Sequence, residues 1–256
     1  MNAPDSPPIK SDPGKWIRRM VVGLPVGTVI LGMASFWIYF ENKERKEQRT
    51  YRHALGLRRD VNEADLKRRL EVLAEAARLA PDERRQTLAS YADSSLSPEN
   101  MGYDVKNLTW KDAGLERSSV IASLIGSRRP SDRVLVVAGY GGDVKDDAAL
   151  ALLLSMAQAL TGTPKIKTLQ FAVIDASPGV ADASWNELGS QIRATRDRVT
   201  QLFVVGESLR ESAEKWSAKN EVGVVVVSAV SSSEPQEMVK DAEGLISQIQ
   251  SAVDRL

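Results

Sequence analysis

The chain has no cysteine and one histidine, His53, in its 256 residues. Without cysteine there can be no disulfide and no thiolate metal ligand, although this leaves the compartment open. A single histidine argues against a histidine-rich zinc centre and against a Ser-His-Asp triad. Net charge is also lacking: 34 basic residues balance 34 acidic ones, so the composition carries no electrostatic footprint for nucleic acid. Phosphate-loop and nucleophile-elbow motifs are missing. There is no G-x-x-x-x-G-K-[ST] and no G-x-S-x-G. Gly139, Gly141 and Gly142 follow an apolar run, but the third glycine of G-x-G-x-x-G is absent, so a turn without a nucleotide is expected. No cofactor is predicted.

What is present begins with a long uncharged stretch. Residues 20–40 read MVVGLPVGTVILGMASFWIYF, enough to cross a hydrocarbon core of about 30 Å as a helix. Trp16 precedes the run, and Trp37 and Tyr39 close it, where amphipathic rings favour the membrane interface. Pro25 falls in the first turns. The run exceeds the ~7–15 apolar residues of a cleaved signal peptide, and no clean A-x-A site follows. We therefore expect a disordered tail over residues 1–15, a single membrane span over 16–40 and a charged stalk over 41–60. Lys10, Lys15, Arg18 and Arg19 before the span nearly balance Lys43, Arg45, Lys46, Arg49 and Arg52 after it, so flanking charge only slightly favours a cytoplasmic C-terminal side.

Residues 61–256 are expected to form one α/β domain with a helical lead-in over 61–100. Asn62 can cap a helix over 63–79, with Leu66, Leu70, Leu73 and Ala77 on one stripe. Pro81 starts a second helix to about Tyr91, and residues 94–100 are turn-rich. Short strands are predicted at 102–109 and 119–124, with a hairpin-like connection at 126–132. Strands then alternate with helices: strand 134–139, helix 146–160, strand 166–174, helix 184–199, strand 202–205, helix 209–219, strand 222–228 and helix 234–256. That alternation predicts a three-layer sandwich around a mostly parallel sheet.

The densest chemistry lies at residues 133–147, RVLVVAGYGGDVKDD, a buried strand running into an acidic helix start. Asp143, Asp146 and Asp147 follow this strand, and Asp175 follows the next. In a parallel sheet these strand ends gather at one edge, where ligands bind. Four carboxylates there could hold Mg²⁺ or Ca²⁺. The plainer account is that Asp146 and Asp147 complement the helix dipole, while Asp143 and Asp175 are solvated loop residues.

Residues 118–140, SSVIASLIGSRRPSDRVLVVAGY, resemble the core of the zinc-dependent aminopeptidases that include glutaminyl cyclases. That family runs N-V-I-A-x-L-x-G-S, then V-L-V-G-A-H-Y-D, in the same order and spacing. GYDV at 102–105 suits its opening. LSMAQAL at 154–160 resembles its next helix, FAVIDASP at 171–178 its F-V-F-F-D-G-E-E strand, and LGS at 188–190 its later L-G-S. The clear match spans Ser119 to Asp175. The resemblance places the family's first His and Asp on Gly139 and Gly141, and its two glutamates on Ser177 and Pro178. Its later Asp would fall on Phe203, and no histidine lies downstream for the last ligand. Of the metal-site residues only the Asp146–Asp147 pair remains, and one of the two would match the metal-bridging Asp. Gly and Pro supply no side-chain ligand, and one bridging carboxylate cannot hold two zinc ions.

These observations lead us to expect a zinc-exopeptidase-like domain that has lost its zinc chemistry, shown on a single-pass anchor. Its vestigial cleft is made of Gly139, Tyr140, Gly141, Asp143, Asp146, Asp147, Asp175, Ser177 and Pro178. The expected partner is a protein or peptide. Two alternatives stay open: a hydrolase using a Mg²⁺ or Ca²⁺ site at Asp146 and Asp147, or a structural subunit of a membrane complex. In the last case the helices at 63–92 and 234–256 would mediate assembly, the latter through Met238, Leu245, Ile249 and Val253. Simple packing of that face on the sheet is the plainer account. The resemblance, more than the charges, implies an extracytoplasmic C-terminal domain.

Overall fold

The computed structural model describes residues 55–112, 114–142, 144–163, 165–222, 225–228 and 234–255, and Met33. The expected tail and span, and the stalk as far as residue 54, lie outside the described residues apart from Met33. Among the described residues no helix is long and apolar enough to cross a membrane.

Helix α1 (Glu63–Ala76) starts where its cap dictates. The Asn62 side chain accepts the Asp65 backbone N–H at 2.8 Å, satisfying one of the donors a helix start leaves open. Leu66 and Leu73 are buried and Leu70 packs against them. The fourth member of the stripe is Ala76, not Ala77: the helix ends at Ala76, and beyond that point its periodicity no longer applies. Helix α2 (Pro81–Leu96) runs a turn past the expected Tyr91, because Leu88, Ala92 and Leu96 keep an i, i+4 stripe in the core.

Strands β1 (Asp104–Asp112) and β2 (Leu115–Leu124) form an antiparallel hairpin, with Gly114 at φ +83° in its tight turn. Next come β3 (Arg129–Tyr140), α3 (Val144–Leu160), β4 (Lys167–Asp175), α4 (Ala181–Ala194), β5 (Arg198–Val205), α5 (Arg210–Lys219), β6 (Val225–Ser228) and α6 (Pro235–Asp254). The sheet order is β1-β2-β4-β3-β5-β6. The β4–β3, β3–β5 and β5–β6 pairings are parallel, and β1–β2 and β2–β4 are antiparallel, so the sheet is mixed.

Two expectations need correction. The connection at 126–132 is not a hairpin, because β4 lies between β2 and β3. The chain instead passes under the start of β4, where the Ser127 and Arg128 N–H groups donate to the Lys165 and Ile166 carbonyls at 2.8 and 3.2 Å. Gly126 makes this crossing possible: a Cβ there would lie 2.4 Å from the Lys167 carbonyl carbon. The helix expected over 184–199 stops at Ala194. The chain reverses at Arg196 (φ 56°), and β5 begins at Arg198 because Val199 pairs with Arg133 of β3.

Alternate residues of the central strands feed two cores. Val134, Val136, Phe171 and Phe203 pack beneath α1, α2, α3 and α6, while Leu135, Val137, Ile174 and Val204 pack against α4 and α5. Tyr103 meets Phe171 edge-on at 5.6 Å in the first core and donates to the Ala157 carbonyl at 2.7 Å. Trp185 and Trp216 lie 5.2 Å apart in the second. Helix α3 is apolar almost all round and buried along most of its length. Met238, Leu245, Ile249 and Val253 of α6 are buried in the first core, so this face is used in packing within the chain.

Candidate functional site at the strand ends

The carboxyl ends of β3, β4 and β5 lie together. The chain leaves β3 toward its β4 side through α3, while β5 lies on the opposite side of β3. In an open α/β sheet that divergence makes the crevice where ligands bind. The loops after these strands and the start of α3 therefore bring together Gly139, Tyr140, Gly141, Asp146, Asp147, Asp175 and Ser177. Asp143 lies outside the described residues.

Side chains of this chain occupy the crevice. Asp146 is buried at the first turn of α3 and accepts a hydrogen bond from the Ser208 hydroxyl beyond β5. Asp147, the next residue, is held by Arg84 of α2, whose Nη2 lies 3.0 and 2.9 Å from its two oxygens. Asp175 ends β4 and is 1 % exposed. One of its oxygens accepts the Ser177 N–H at 2.9 Å, and the other lies 3.2 Å from Arg117 Nη1 of β2. Each carboxylate is thus met by a guanidinium, a hydroxyl or a backbone amide, the groups that stabilise a buried anion.

Space at the glycines is equally committed. A Cβ on Gly139 would lie 2.6 Å from the Ala176 methyl and 3.4 Å from Leu209 Cγ. Gly141 has φ +82°, and a Cβ there would press on Arg85 and Ser177. Tyr140, between them, turns into the first core and donates to the Ser118 carbonyl at 2.6 Å. Burial pushes its hydroxyl up to about 12, so it stays protonated. Ser177 is buried, while Pro178 is exposed.

The residues here do not fit the zinc pair that the resemblance implies. Gly139, Gly141 and Pro178 offer no ligand, the one histidine lies outside the described residues, and Asp147 is engaged by Arg84. Among the described residues no group of three His, Cys, Asp or Glu is placed to hold a metal ion. Arg84, Arg117 and Ser208, which close the site, are not candidates from the sequence. Arg84 reads as one more charge on an exposed helix, Arg117 precedes the predicted strand, and Ser208 lies in a loop.

Two open features lie nearby or apart. A groove of about 360 Å³ runs between α2 and the β1–β2 hairpin, with Arg117 among its walls beside Gln86, Asn107 and Glu116. A larger cavity of about 500 Å³ lies at the opposite end of β5, beside Ile192, Trp216 and Asn220.

The fold is shared with solved enzymes. A glutaminyl cyclase of Fimbriiglobus ruber aligns at 15 % identity over 75 % of this chain and 96 % of its own, with a TM-score of 0.51. One from Macrostomum lignano aligns at 12 % identity over 77 % and 96 %, with a TM-score of 0.52. A protein assigned as a Zn-dependent exopeptidase, from Bacteroides vulgatus, aligns at 12 % identity over 78 % and 98 %, with a TM-score of 0.51. At these identities the likeness establishes a zinc-exopeptidase-like α/β fold. No protein-family model matches the chain, and no curated protein matches it by sequence.

Proposed function

We propose that this chain is a membrane-anchored protein whose exopeptidase-like domain is catalytically inactive and works as a binding or scaffolding module. The observation that carries this reading is the filled crevice. Arginines neutralise Asp147 and Asp175, and the Ala176 methyl takes the space a side chain at position 139 would need. A hydrolase of this fold needs an open metal position and a carboxylate base beside it. The groove between α2 and the hairpin supports a role in binding a protein or peptide.

The test uses purified full-length chain in detergent. Calorimetric titration with Zn²⁺ should show no stoichiometric site, and aminoacyl and N-terminal glutaminyl substrates should not turn over. One or two tightly bound zinc ions together with turnover would sink the proposal. The expected span over 16–40 supports a single-pass anchor, and we place the domain outside the cytoplasm. A periplasm-active reporter fused after Leu256 should then be active, and a cytoplasm-only reporter should be silent. The reverse pattern would rule that orientation out.

A further inference from the structure

The hairpin leaves β1 at the end of the sheet, with one side paired to β2 and the other open among the described residues. An end strand exposes the N–H and C=O groups of alternate residues, a template for another strand. β1 is long for such a position, nine residues reading DVKNLTWKD, and neither of its faces is fully buried. Natural edges are blunted by proline, bulges or short length. β1 has no proline, and its register with β2 runs unbroken from Asp104 to Asp112. It does carry Lys106 and Lys111, which count as edge protection unless a partner neutralises them.

Side chains of β1 alternate between two faces. Lys106, Leu108, Trp110 and Asp112 share one, and Leu108 packs on the α4–α5 core. Lys106 has no ion-pair partner among the described residues. The Trp110 indole N–H is buried without a hydrogen-bond acceptor among the described residues. A second β1 laid antiparallel, with its two-fold axis at Thr109, sets Lys106 opposite Asp112 and Leu108 opposite Trp110, each pair occurring twice. Centring on Leu108 instead sets Asp104 against Asp112, a like-charge clash. The strand is thus self-complementary in one register and repelled in the adjacent one, as a two-fold, isologous contact requires.

We propose that β1 is a self-association edge: two copies of this chain pair through β1 about a two-fold axis at Thr109, joining their sheets into one. This does not depend on whether the domain is an enzyme. A nine-residue edge makes a small interface, so the expected dissociation constant is on the order of 10 µM.

Because the chain has no cysteine, an introduced thiol is unique. In purified full-length chain in detergent, Thr109→Cys should give a disulfide dimer under mild oxidation. Asp104→Cys should not, since the proposed register holds the two thiols roughly 30 Å apart. Light scattering should show Lys106→Asp and Asp112→Lys each weakening the dimer about tenfold. The double variant, with the charges exchanged, should restore it to within about threefold. A chain that stays monomeric at ~100 µM, equal cross-linking at both cysteines, or a double variant no better than the singles would each overturn the proposal.

Discussion

Replacing Arg117 with methionine is expected to destabilise the domain by about 3–5 kcal/mol, the usual cost of removing one member of a buried ion pair. The Arg117 side chain is 9 % exposed and that of Asp175 is 1 % exposed, with Nη1 3.2 Å from Oδ2. Without the guanidinium, the carboxylate keeps the Ser177 N–H on its other oxygen. It is then a buried charge with one donor. Arg117 also lies 3.9 Å from Asp112 through Nε, a longer contact at a half-exposed carboxylate that contributes little. The Arg117→Met/Asp175→Leu double variant should recover much of the loss, since apolar groups of similar volume often match a buried pair. Urea unfolding of the full chain reads this directly. A shift below about 1 kcal/mol for Arg117→Met would mean that Asp175 is solvated and that the site is more open than its contacts indicate.

Gly139→His, which reinstates the residue the resemblance calls for, should lower stability by roughly 3 kcal/mol or more and create no zinc site. The new Cβ would meet the Ala176 methyl at 2.6 Å, a separation that forces movement. Ala176 directly follows β4 and its N–H bonds the Tyr140 carbonyl at 2.9 Å, so the yielding element is backbone rather than a flexible side chain. Overpacking of a well-filled site typically costs about 1–3 kcal/mol, and an imidazole adds bulk beyond the first atom. For a domain of this size that is a fall in Tm of roughly 6–12 °C. In the aligned family strand F-V-F-F-D-G-E-E, Ala176 falls on the glycine. The chain thus carries Gly then Ala where the resemblance sets His then Gly, and the Ala176 methyl is the first atom that a Cβ at position 139 would meet. Gly139→His/Ala176→Gly should therefore recover most of the lost stability and still bind no zinc. If the single variant unfolds at the wild-type temperature, the packing argument fails.

The scaffold was largely legible because its signals are local. The apolar runs at 134–139 and 171–174, the Asn62 cap and the spacing of Met238, Leu245, Ile249 and Val253 each report burial of nearby residues, and each lies where expected. Local signals failed where a distant partner decides. Ala194 ends α4 because the next residues pair with β3, and residues 126–132 pass under β4 rather than turning back, which no dipeptide near Gly126 encodes. At the site, the sequence shows which positions carry no side-chain donor, because residue type is read position by position. It does not show which side chains meet there.

The sequence by itself determined the α/β scaffold, the gathering of Asp146, Asp147 and Asp175 at one sheet edge, and the absence of side-chain donors at Gly139, Gly141 and Pro178. Strand order and the occupants of the crevice were decided only by the tertiary structure. Arg84 and Asp147 are 63 residues apart, Arg117 and Asp175 58, and Asp146 and Ser208 62. A buried carboxylate needs a countercharge or a donor, but the one it finds depends on which elements pack against its strand end. That packing joins α2, β2 and the loop after β5 around one crevice.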